Sequence, residues 1–135
     1  MELLDVVAGA GVALLACGGA RVIGFDQDRA FYPTMLVVIA TYYVLFAAIA
    51  GAPAALGAEA LVMVAFMAVA GLGFRRAPWL VVAGLAAHAL YDAGHPWAHH
   101  HAGVPAWWPG FCLGFDGVAA LWLTVLLRRR AAAQR

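Results

Sequence analysis

The run PWLVVAGLAAHALYDAG, residues 78–94, decides the fold. It is apolar enough to enter a bilayer but short for a span, about 25 Å at 1.5 Å per residue, and it carries His88 and Asp92. Counted as a membrane helix it makes five spans; left out, it leaves four. The arginines choose between the two. All eight basic residues are arginine: Arg21, Arg29, Arg75, Arg76, Arg128, Arg129, Arg130 and Arg135. Five spans put every one of them on the same side, whereas four would split them. Short basic loops stay cytoplasmic. The expected topology is therefore N-terminus out and C-terminus in.

On either side of that run the chain is apolar helix with polar turns. The expected helices are about 3–23, 30–50, 54–74, 78–94 and 109–128, an all-α integral membrane bundle in one domain of 135 residues. The chain is 66% hydrophobic and 11% charged, with mean hydropathy +0.89. A soluble domain carries about 25% charged residues, so this one has too little polar surface to cover itself in water. Pro33 fits the first turn of the second helix, where a missing N–H is harmless. Gly51-Ala52-Pro53 ends that helix, and Arg75-Arg76-Ala77-Pro78 ends the third. His95-Pro96 is expected to stop the fourth, because a residue before proline is pushed out of the α region. The first run lacks the basic n-region of an export signal, holding Glu2 and Asp5 instead, and is expected to stay as an uncleaved helix. Its small residues suit close packing in lipid. Trp97, Trp107 and Trp108 mark the outer boundary; Tyr32 and Trp79 mark the inner one. Cys17 and Cys112 fall near opposite faces and are not expected to pair. Asp26 and Asp28 are expected to form a turn with Arg21 and Arg29.

Polar chemistry is concentrated between residues 88 and 116. All five histidines lie there, His88, His95 and the run His99–His101, with Asp92 and Asp116. His88, Asp92 and His95 are spaced i, i+4, i+7, which places them on one helical face. Asp116 and His88 both fall about 9–10 Å inside their helices by helical rise, so the two are expected to meet. Glu59 enters from the third helix at a comparable level. Ionisable groups inside a membrane are costly and face the bundle interior, pairing or lining a pathway. Imidazole and carboxylate are also the ligand set for zinc or ferrous iron. The candidate divalent-metal ligands are thus His88, Asp92, His95 and Asp116, with Glu59 as a supporting or additional ligand. The spacing is not that of an HExxH metalloprotease. The bland alternative is polar glue between helices. His99–His101 reads as an exposed loop tract of the kind that binds metal by composition alone. Cys112 reads as a buried small hydrophobe, and Tyr42 and Tyr43 as packing residues whose hydroxyls find internal partners.

The segments FDQDRAFYPTMLVVIATYYVLFA (25–47), HALYD (88–92) and PAWWPGFCLGFD (105–116) resemble a family of small bacterial integral membrane proteins without an assigned activity. That resemblance implies the architecture and an inner-membrane location, and transfers no catalytic residue. A weaker similarity is to the alkaline ceramidase-type membrane hydrolases, which use a Ser/Asp/His zinc set across seven helices. This chain has no serine and five expected spans.

Three functions fit the sequence. One is capture of a divalent metal or protons by the outer His/Asp cluster, and another is a structural subunit whose polar groups join helices. The third is a metal-dependent hydrolase or oxidoreductase acting on a lipid-soluble substrate. The expected partners are the lipid bilayer and further copies of the chain or a larger membrane complex. Nucleic acid is excluded, because no basic face remains once the helices are placed.

Overall fold

The computed structural model describes residues 2–98 and 103–135, with the side chains of all but 97 and 98. The expected roles of His99–His101 and of the Trp97 ring fall outside these residues. Five helices make up the described chain: α1 (Leu3–Ile23), α2 (Phe31–Ile49), α3 (Pro53–Arg75), α4 (Trp79–Ala98) and α5 (Trp108–Ala133). Four of them, α1, α2, α3 and α5, are long and apolar enough to cross a membrane. The helix α4, which carries His88, Asp92, His95 and Pro96, is not in that set.

Local chemistry sets the boundaries. The backbone N–H of Glu2 donates to Asp5 Oδ2 at 2.9 Å, satisfying an orphan donor at the start of α1. Gly24, with φ 94°, closes that helix in the left-handed region that glycine adopts without penalty. Asp28 Oδ1 accepts the N–H of Ala30 at 2.9 Å just ahead of α2. Pro53 opens α3, and Pro109 sits in the first turn of α5.

Two boundaries differ from expectation. α4 continues through His95 and Pro96 to Ala98 instead of stopping at Gly94. Pro96 lies in the last turn, where the missing N–H forfeits one helical bond, and His95 is held in register by contacts with α2 and α3. α5 runs beyond Arg128 to Ala133, since Arg128–Arg130 and three alanines are all strong helix formers.

Packing order does not follow chain order. α1 lies along α5, α5 along α4, and α4 touches α3 and α2, which pack on each other. α4 is thus sheltered by three neighbours. One half of the interior is apolar, built from Leu36, Val81, Leu85, Ala119, Ala120 and Leu123. The other half holds Glu59, His88, Asp92, His95 and Asp116, all buried. The surface is inverted relative to a soluble protein: Leu61, Leu90 and Leu121 are 75%, 73% and 68% exposed. Cys17 and Cys112 are both free and buried.

Candidate metal centre

Helical periodicity brings His88 and Asp92 to the same face of α4, and α5 supplies Asp116 from across the interface. His88 Nδ1 lies 2.7 Å from Asp116 Oδ2 and 3.2 Å from Asp92 Oδ2. A proton on Nδ1 makes both contacts attractive while both carboxylates are ionised. Asp92 Oδ1 accepts the hydroxyl of Tyr43 at 2.7 Å. His88 Nε2 and Asp116 Oδ1 are buried with no hydrogen-bond partner among the described residues. Phe66 packs on the His88 ring in a T-shaped contact, with centroids 4.8 Å apart, so one side of the imidazole meets an apolar neighbour.

A second pair stands beside the first. His95 Nε2 lies 3.1 Å from Glu59 Oε1, and the Tyr91 hydroxyl donates to Glu59 Oε2 at 2.6 Å. Tyr43 joins the two groups. Its hydroxyl serves Asp92, and its ring stacks on His95 with centroids 4.0 Å apart and planes at 19°.

The five candidate residues are therefore all buried in one polar half of the bundle but do not converge on one point. Ligand atoms of His88, Asp92 and Asp116 lie within 4.8 Å of one another, the only such triad among the described residues. His95 is seven residues beyond His88, about 10.5 Å further along the helix axis by helical rise. That is too far for a shared coordination sphere, and His95 pairs with Glu59 instead. Tyr43, expected to pack with its hydroxyl on an internal partner, finds that partner in Asp92, and Tyr91, which the sequence did not single out, also belongs to the network. The available signal for Tyr91 was its position between His88 and Asp92.

The expected Asp/Arg turn is half formed. Arg21 Nη1 approaches the fully buried Asp26 Oδ1 at 3.6 Å, and Arg130 Nη2 donates to the Asp26 carbonyl at 2.8 Å. Asp28 accepts the Ala30 N–H in a local turn ahead of α2, and Arg29 makes no ion pair among the described residues.

Beside the triad runs an apolar cleft of about 770 Å³ between α1, α2 and α5. Cys112 and Phe115, on the turn of α5 that precedes Asp116, form part of its wall. Compared with protein-family models, curated proteins and solved structures, the chain matches none. Its own residues are what speak for the chemistry of the site.

Proposed function

We propose that this is a five-span membrane protein that binds one divalent transition metal, of the zinc class, through His88, Asp92 and Asp116. The observation that carries this reading is the convergence of two carboxylates on one imidazole nitrogen inside an apolar bundle. With a neutral imidazole the three groups sum to two negative charges. A divalent cation cancels both, whereas a proton on the ring cancels only one. Uncompensated charge in such surroundings costs several kcal/mol per ion. Tetrahedral zinc ligands at about 2.0–2.1 Å lie roughly 3.3 Å apart, so the triad closes on an ion after small side-chain rotations. An ion at Nδ1 would take the place of the proton there and leave the neutral ring as its Nε2–H tautomer.

α4 counts as the fifth span in this reading. Its 20 residues extend about 30 Å, the thickness of the hydrocarbon core. Among the described side chains its exposed positions are Trp79, Leu80, Ala83, Ala86, Ala87, Leu90 and Pro96, none of them polar, while His88, Asp92 and His95 turn inward. The metal site then sits in the outer half of the bilayer, with the arginine end in the cytoplasm and an inner-membrane location.

Equilibrium dialysis of the detergent-purified protein against micromolar zinc tests the proposal. One equivalent is expected for the wild type, with loss in His88→Ala and Asp116→Asn. His95→Ala, which leaves the triad intact, keeps the metal. Absence of stoichiometric zinc from the wild type would leave the cluster as polar glue and remove the reading.

A second reading, a metal-dependent hydrolase, draws on the apolar cleft walled by Cys112 and Phe115. Three protein ligands also leave a coordination position open, as in catalytic zinc sites. Zinc-loaded protein should then cleave a lipid-soluble ester, and Asp116→Asn should not. Metal retained without turnover leaves binding as the function.

A further inference from the structure

At the end of the bundle away from the His/Asp triad, α2, α4 and α5 enclose a second cavity of about 290 Å³. Its mouth is polar, with Arg29, Arg130 and Gln134, and its wall is apolar, with Pro78, Val81 and Leu127. Trp79 stands at the same level and is half exposed, the position of an interfacial anchor. Arg29 and Arg130 make no ion pair with any carboxylate among the described residues. The one acidic residue in the lining, Asp28, already spends an oxygen on the Ala30 N–H. Arg130 is positioned by its bond to the Asp26 carbonyl, which leaves its remaining N–H groups for another acceptor. The cavity thus presents two guanidinium groups without carboxylate partners above an apolar wall.

We propose that this cavity binds the phosphate headgroup of an anionic membrane lipid from the leaflet on the arginine side. Guanidinium forks match phosphate oxygens in charge and geometry. Basic pockets between transmembrane helices on the cytoplasmic side recognise anionic headgroups by this chemistry. The apolar wall distinguishes a lipid from free phosphate, because the first carbons of an acyl chain lie against Val81 and Leu127 while the phosphate meets the arginines.

Thermal unfolding of the full chain in a neutral detergent tests this with three additives: phosphatidylglycerol, phosphatidylcholine and inorganic phosphate. Phosphatidylglycerol is expected to raise Tm by roughly 4 °C or more when saturating, and the other two to do little. The apparent affinity should fall about tenfold or more in Arg29→Gln/Arg130→Gln. It should be retained in Arg75→Gln/Arg76→Gln, which removes the same charge outside the cavity lining. Ala131→Phe fills the mouth while keeping both arginines, and should abolish the effect; this variant decides the matter if the double arginine variant does not fold. Equal stabilisation by phosphatidylcholine, full reproduction by inorganic phosphate, equal loss in the Arg75/Arg76 control or an undiminished response in Ala131→Phe would each overturn the proposal.

Discussion

Tyr43 is the side chain on which both polar groups of the interior depend. Its hydroxyl satisfies the Asp92 oxygen that faces away from His88, and its ring lies flat on His95. Replacing it with phenylalanine keeps the stacking surface and removes one hydrogen bond. Such bonds between membrane helices are worth about 0.6 kcal/mol on average and up to about 1.7, so Tyr43→Phe should unfold only slightly more readily than wild type. Groups that orient a ligating residue typically change metal affinity by about 10–100-fold. Zinc dialysis on Tyr43→Phe should therefore show clearly weakened binding beside nearly unchanged stability. Unchanged zinc affinity would mean that Asp92 holds its position without the tyrosine, and would reduce Tyr43 to packing. The carboxylates themselves behave differently: Asp92→Asn keeps the shape but alters the charge sum, so it should lose metal without loss of fold.

α1 is joined to α2 by a short turn yet packs along α5, and glycine explains the choice. A Cβ on Gly114 would run into the carbonyl of Val6, and a Cβ on Gly9 into the carbonyl of Phe111. The two backbones touch reciprocally at these positions, the close approach that small residues permit in lipid. Gly114→Ala should force the helices apart at a cost of about 1–3 kcal/mol, typical of overpacking. Gly117→Ala, whose Cβ meets nothing within 4 Å, should be neutral or slightly stabilising. Denaturation in detergent compares the two, and equal stabilities would refute the contact. Nothing local separates Gly114 from Gly117 in the sequence, because the difference arises from a partner more than a hundred residues away. Helix number and approximate limits were legible, since apolar length and proline–glycine punctuation are local. The inward face of α2 was not: Tyr32, Leu36, Tyr43 and Ala47 are buried along it, but apolar residues also cover the lipid side, so no amphipathic stripe appears. The His88–Asp116 contact was readable from depth alone. Pro96 obscured the separation of His95, because a helix stopped at His95-Pro96 does not fix where the His95 side chain lies, whereas the continuing helix holds it one layer away from His88.

The arginine-bearing segments collect at a single end of the bundle. The cavity between α2, α4 and α5 is lined at once by Arg29 from the α1–α2 turn, by Pro78 ahead of α4 and by Arg130 from the end of α5. Arg130 and Arg21 both reach Asp26, tying the end of α5 to the end of α1. This gathering is geometric and holds whichever way the bundle lies. The proposed orientation adds direction from the bias of short basic loops toward the cytoplasm: it puts the arginine end inside and the Gly51 turn and the histidine-bearing end outside. A phosphatase reporter, active only outside the membrane, should be silent after Arg135 and active when inserted at Gly51. A cytoplasm-active reporter should give the reverse pattern. The same orientation makes a chemical prediction about the triad. Added to intact cells, an impermeant zinc chelator should strip the outer-half site, while spheroplasts turned inside out should resist it. Phosphatase activity after Arg135 would invert the bundle, place the triad in the cytoplasmic half and require the metal to come from within. Activity at both Gly51 and Arg135 would remove one span altogether, and α4 is the one that would fall, since its polar residues set it apart from the other four.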